Sequence, residues 1–129
     1  MKNKTLVLLF IIVVILACSH GKNSTTDSAI SFTQDTLHLG LLMREAKKEG
    51  KFTFTNAKVD SIRILDVKSS CGCVVPNYTK KQLYINEIGE INFKVTAPST
   101  SGKFMEILVA KFDTSPFLKT FYIVGEVGN

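Results

Sequence analysis

Apolar residues in this chain follow two patterns. From Leu6 to Ala17 they form an unbroken run of twelve. From residue 30 onward they alternate with polar residues in short stretches, the period of half-buried strands. Ile30-Ser31-Phe32 and Leu37-His38-Leu39 alternate until Gly40 interrupts, and Phe52-Thr53-Phe54-Thr55-Asn56 alternates cleanly. Met43 to Lys51 is polar, ends its run at Gly50 and reads as a loop. Between Ser61 and Lys68, Ile62 and Ile64 share one phase while Leu65 and Val67 share the other. Such a phase change predicts a bulge or a strand buried on both faces.

Gln82 to Ile85 is a short strand candidate. In Glu90 to Ala97, Ile91, Phe93 and Val95 fall on one face, and Pro98 to Gly102 is a turn of breakers. Phe104–Phe112 and Phe117–Val127 read as a long hairpin around Asp113-Thr114-Ser115-Pro116, with Phe121, Ile123, Gly125 and Val127 in one phase. No helical stripe or internal repeat appears. About seven short strands in the hundred residues 30–129 predict an all-β, immunoglobulin-like β-sandwich. Without Trp, and without the cysteine pair of antibody-type domains, its core must rest on aliphatic side chains and phenylalanine.

The first pattern has a different meaning. Lys2 and Lys4 precede the apolar run, and Ile15-Leu16-Ala17-Cys18 ends it. A charged start, a short apolar stretch and a small residue at the cut are the marks of a secretory signal. Twelve residues fall short of the roughly 20 a spanning helix needs. Cysteine at the cut makes the segment similar to a bacterial lipobox: residues 1–17 are a lipoprotein signal peptide and Cys18 is the lipidation site. Residues 18–29 comprise that cysteine and a polar, aperiodic tether, Ser19 to Ala29, that reaches roughly 20 Å as a coil. The membrane partner is therefore reached through lipid on Cys18. Ser19, with no acidic cluster after it, resembles lipoproteins of the Gram-negative outer membrane that face the periplasm.

Loss of residues 1–17 removes two lysines and lowers the formal charge from +5 to +3. The remaining basic residues are scattered apart from Lys47-Lys48 and Lys80-Lys81. A nucleic-acid footprint requires clustering on one face, so no nucleic-acid partner is expected.

Of three cysteines, lipidation of Cys18 leaves Cys71 and Cys73, an even number in an oxidising compartment. In an extended strand their Cα atoms would lie ~6.6 Å apart, at the ~6.8 Å edge of disulfide geometry. The segment must bend to close the ring, and Gly72, lacking a Cβ, allows it. A small ring of this kind is strained and easier to reduce. A three-residue loop constrains the unfolded chain very little, so global stability is a poor reason for such a bridge. Loop shaping, thiol–disulfide exchange, a mixed disulfide and capture of Cu(I) by two soft thiolates stay open.

A closed zinc site wants four ligands. The only histidines are His20 in the tether and His38, which alternates with Leu37 and Leu39 and points to solvent. No HExxH, GxSxG, phosphate loop or paired-carboxylate motif is present. No catalytic residue and no cofactor is assigned, and the protein is expected not to be an enzyme.

Taken in order, Phe52-Thr53-Phe54-Thr55-Asn56, Ile62-Arg63-Ile64, Ser70-Cys71-Gly72-Cys73-Val74-Val75-Pro76, Gly89-Glu90-Ile91, Gly102-Lys103-Phe104 and Ile123-Val124-Gly125-Glu126-Val127 resemble the bacterial family of domains of unknown function 1573 (DUF1573), often found on lipoproteins. The resemblance covers roughly residues 30–127. Val74 stands where the family usually has Thr, and Ala57-Lys58 where it usually has Gly. The resemblance implies an Ig-like domain akin to interaction modules, with Cys71 and Cys73 as its marked positions and no established activity. The expected function is a non-enzymatic, membrane-anchored interaction module with a protein or envelope partner. The alternative is a thiol-active or Cu(I)-binding protein.

Overall fold

The alternating stretches pair into two four-stranded sheets that face each other. The computed structural model describes residues 28–128. The expectations for the signal peptide, for Cys18 and for the tether up to residue 27 lie outside the described residues.

Ten strands occur among the described residues, and no helix. They are β1 (Ile30–Phe32), β2 (Thr36–Leu42), β3 (Lys47–Asn56), β4 (Ser61–Ile62), β5 (Ile64–Ser69), β6 (Val74–Tyr78), β7 (Leu83–Tyr84), β8 (Ile88–Thr96), β9 (Gly102–Phe112) and β10 (Leu118–Val127). The first sheet has the order β1-β3-β8-β6 and the second β2-β10-β9-β5, while β4 and β7 form a separate ribbon. All neighbours are antiparallel except β2, which runs parallel to β10. The immunoglobulin-like β-sandwich read from the sequence is the fold of this domain.

The inner faces carry the phased residues read on β8 and β10, joined by those of β3 and β9. Phe52 and Phe54 of β3 and Ile91, Phe93 and Val95 of β8 come from the first sheet; Leu108, Ala110 and Phe112 of β9 and Phe121 and Ile123 of β10 come from the second. Phenylalanine takes the place of the missing tryptophan. The ring of Phe52 lies 4.6 Å from that of Phe121, and Phe32 touches Phe54, Phe112 and Phe121 at centroid distances of 6.1, 5.9 and 5.7 Å. All of these except Phe32–Phe54, a pair within the first sheet, cross between the sheets. Each fully buried side chain of this size is worth about 1.5–3 kcal/mol, and each aromatic pair roughly 0.5–1.5 kcal/mol beyond its area.

Three readings need correction. Met43–Lys51 is not all loop: β3 begins at Lys47 and pairs with β8 from Lys47↔Thr96 onward. The polar run hid the strand because its inward position is Gly50, where a Cβ would collide with the Phe93 ring and Leu37. Val74–Tyr78 is a strand that the sequence reading passed over. It is an edge strand, which tolerates Pro76, and Val74 is buried in the core. Finally, Ser61–Lys68 is two strands, with β4 in the ribbon and β5 at the edge of the second sheet. The predicted phase change is real: register slips between Ile64 and Asp66, which leaves Leu65 exposed while Ile64 and Val67 stay buried.

Gly40 marks a second bulge. Its φ is +74°, a conformation that glycine adopts at no steric cost, and the β2–β10 register slips beside it, from Val124↔His38 to Glu126↔Leu41. Asn56 is the one buried polar side chain among the described residues. Its Nδ2 donates to the carbonyls of Val59 (2.8 Å) and Leu83 (3.0 Å), and its Oδ1 accepts from the Val59 N–H (3.2 Å). It thereby ties the end of β3 to the β4–β7 ribbon.

Candidate functional site

Cys71-Gly72-Cys73 lies in the turn between β5 and β6, the edge strands of opposite sheets. The turn therefore crosses the open side of the sandwich. Cys71 and Cys73 form a disulfide with Cα atoms 5.3 Å apart, closer than an extended chain would place them. Gly72 does not bring this about in the expected way. It is not among the glycines with positive φ, and a Cβ built on it meets nothing within 4 Å. Its lack of a side chain leaves open space beside the disulfide and is not needed for the bend.

Hydrogen bonds fasten the turn to both sheets. On the second-sheet side, Ser70 exchanges bonds with Ile107 of β9: its N–H donates to the Ile107 carbonyl (2.9 Å) and its Oγ accepts from the Ile107 N–H (3.1 Å). On the first-sheet side, the Cys73 carbonyl accepts from the Thr96 N–H at 2.9 Å. Within the turn, the Ser69 hydroxyl donates to the Cys71 carbonyl (2.7 Å), and the Cys73 N–H points at Cys71 Sγ (3.3 Å). Both cysteines are half-buried against the core.

The structure adds a residue that the sequence reading missed. Glu106 of β9 shares the inward phase with Phe104, Leu108, Ala110 and Phe112, and it sits at the end of the sandwich beneath the turn. Its Oε2 accepts from the Ser70 hydroxyl at 2.8 Å and lies 3.1 Å from Cys71 Sγ. The two sulfurs and one carboxylate oxygen all lie within 4.8 Å of one another. The signal was a carboxylate on the apolar phase of an otherwise regular strand. Its neighbours are 35 and 36 positions away, and only the fold reveals them.

His38 is exposed, as expected. It stands on the outer face of the second sheet beside Val124. The strand register gathers apolar residues at the middle of that face, between Lys111 at one end and Lys103 and Glu126 at the other. On β10, Tyr122 and Val124 pair with Ile107 and Met105 of β9, and Thr120 pairs with Val109. Met105 is 57% exposed, Leu118 63% and Leu41 72%. A shallow groove beside Gly40 and Gly125 runs along it, lined by His38, Leu41, Met105 and Val124 among others.

The outer face of the first sheet is different. Lys51 bonds Glu90 at 2.9 Å and Lys94 pairs with Glu49 at 2.8 Å, both across neighbouring strands. The Lys51 ammonium holds the Glu90 carboxyl below the usual carboxylate range, and Glu49 raises Lys94 above the usual amine range. Asn92 and Asn77 fill the positions between.

A family model described as "Protein of unknown function (DUF1573)" matches residues 30–127. No curated protein matches the chain in sequence. Solved structures are similar in fold. The PapD-like domain 7 of human CEP192 superposes with a TM-score of 0.63 at 7% identity, covering 79% of this chain and 87% of that one. A protein of unknown function from Porphyromonas gingivalis W83 gives 0.64 at 9% identity, over 77% of this chain and 46% of that one. The VesB protease of Vibrio cholerae gives 0.61 at 16% identity, over 78% of this chain and 32% of that one. Against the last two, this chain spans less than half the length of its neighbour. At these identities the likeness concerns the sandwich alone.

Proposed function

Starting from the fact that the chain belongs to the DUF1573 family, we propose that it is a non-enzymatic interaction domain on a lipid-anchored envelope protein, docking a protein partner through the outer face of its second sheet. One observation carries this reading. Met105, Ile107, Val109, Tyr122 and Val124 form an apolar surface on the side of the sheet that the core does not use. Contiguous apolar surface of this kind marks interaction sites on soluble domains.

Three of the four sheet edges support the face over strand addition. β6 carries Pro76, β5 a bulge and Lys68, and β2 the bulge at Gly40. Proline, bulges and lysine are the devices that blunt edges against pairing. The anchor rests on the leader and on Cys18, as read from the sequence, and places the domain within the tether's reach of a membrane.

The test is photo-crosslinking in native membranes, with a photoreactive residue at Val124 in one variant and at Asn92 in another. Adducts to a discrete protein from position 124, with none from position 92, are the expected result. Equal labelling from both faces, or none from either, removes the proposal.

A further inference from the structure

We infer that reduction converts the disulfide turn into a binding site for a zinc-class divalent cation, with Cys71, Cys73 and Glu106 as ligands. This goes beyond the interaction reading and does not depend on it. Sequence alone argued against zinc, because two thiols and distant histidines fall short of a ligand set. Glu106 changes that count: three donor atoms already lie within 4.8 Å of one another. In a tetrahedral site with Zn–S of ~2.3 Å and Zn–O of ~2.1 Å, donors stand roughly 3.5–3.8 Å apart. Rotation of the released cysteine side chains covers the difference.

The donor set also selects the cation. Two thiolates alone suit Cu(I), whereas a carboxylate oxygen is a harder ligand and shifts the preference toward Zn(II). The carboxylate is held in place: Ser70 donates to Oε2 at 2.8 Å, and Ser70 is itself fixed by the Ile107 N–H at 3.1 Å. Partners that orient a ligand in this way commonly matter for metal affinity about as much as a tenfold to hundredfold change. Three protein ligands leave a fourth position for water or for a side chain from a bound protein.

The chemistry balances through a dithiol reductant. It delivers two electrons and two protons to the Cys71–Cys73 bond and departs as its own disulfide. The two thiols then release two protons to the medium as the cation binds both sulfurs. The oxidised turn has no thiolate to offer, so disulfide and metal exclude each other. The site is therefore gated by redox state.

The experiment uses the full mature protein extracted in detergent, reduced with a dithiol and then freed of it. Cobalt(II) is the probe, because thiolate coordination gives an intense near-ultraviolet charge-transfer band; zinc then displaces it. One cobalt per reduced chain, none per oxidised chain, and loss of the band in Cys71→Ser are expected. Ser70→Ala weakens zinc affinity tenfold to a hundredfold, and Glu106→Gln, which removes a ligand, weakens it more. A reduced protein without the band overturns the inference. So does Glu106→Gln binding as tightly as the native chain, or capture of Cu(I) with no binding of cobalt or zinc. None of these readouts depends on the crosslinking result, so the two proposals fail separately.

Discussion

The two outer faces of this sandwich are built from the same kind of strand and end up chemically opposite. On the first sheet, Glu49, Lys51, Glu90 and Lys94 pair across β3 and β8 in open solvent. On the second, Met105, Ile107, Val109, Tyr122 and Val124 line up across β9 and β10. The core does not require this. Both sheets bury phenylalanine and aliphatic residues inward, and a sheet with one face in the core is free to be polar on its other side. The first sheet uses that freedom more fully, with Val75 and Ile88 as its exposed apolar side chains. The apolar outer surface of the second is surplus to folding, which is why it reads as a contact surface.

The largest expected effect tests whether the faces belong to one cooperative body. Phe121 packs on Phe52 and Phe32 across the sheets. Phe121→Ala should cost about 3–5 kcal/mol and lower protection of both sheets together. Amide exchange that rises in the second sheet alone would show two separable layers.

A smaller effect on stability, but a decisive one on binding, is expected at the surface. Val124→Asp should change stability by about 0.5 kcal/mol or less while abolishing capture of the partner in membrane pull-downs. Asn92→Asp on the opposite face should leave capture intact. If the second change matters and the first does not, the faces have been assigned the wrong way round.

The smallest effect concerns the polar face. The Glu90 carboxyl is held low by Lys51, and the Glu87 carboxyl by Lys81. A carboxyl lowered by folding contributes stability that is present above its unfolded value, near 4.5, and lost as pH falls through the lower folded value. Both groups are solvent-exposed, so the acid-side drop in melting temperature should be slight, and Lys51→Met should shrink it further. A large drop that Lys51→Met leaves unchanged would place the acid sensitivity elsewhere.

What could be read in advance follows the physics of each element. Phe52-Thr53-Phe54, Ile91–Val95 and Phe121–Ile123 announce themselves because bulky side chains alternate. The β3 extension over Lys47–Glu49 does not, because its inward place is taken by Gly50, whose reason is the Phe93 ring on another strand. β6 was obscured by adjacent Val74 and Val75 and by Pro76, which only an edge position excuses. For the site, the spacing of Cys71 and Cys73 raised the disulfide, and the structure contains it. Glu106 was visible as a charge in an apolar phase, but its meeting with Ser70 and Cys71 depends on β9 lying beside β5.

One detail of the topology bears on the order of events during folding. β2 is the first strand of the second sheet in chain order, and its sole neighbour within that sheet is β10, which ends at Val127. β5 pairs with β9 across a shorter stretch of chain, whereas β2 must find β10 across nearly the whole domain. Contacts so distant in sequence are slow to form. Loss of β10 would leave β2 without a neighbour in its sheet, so the second sheet closes only when its most distant strands meet.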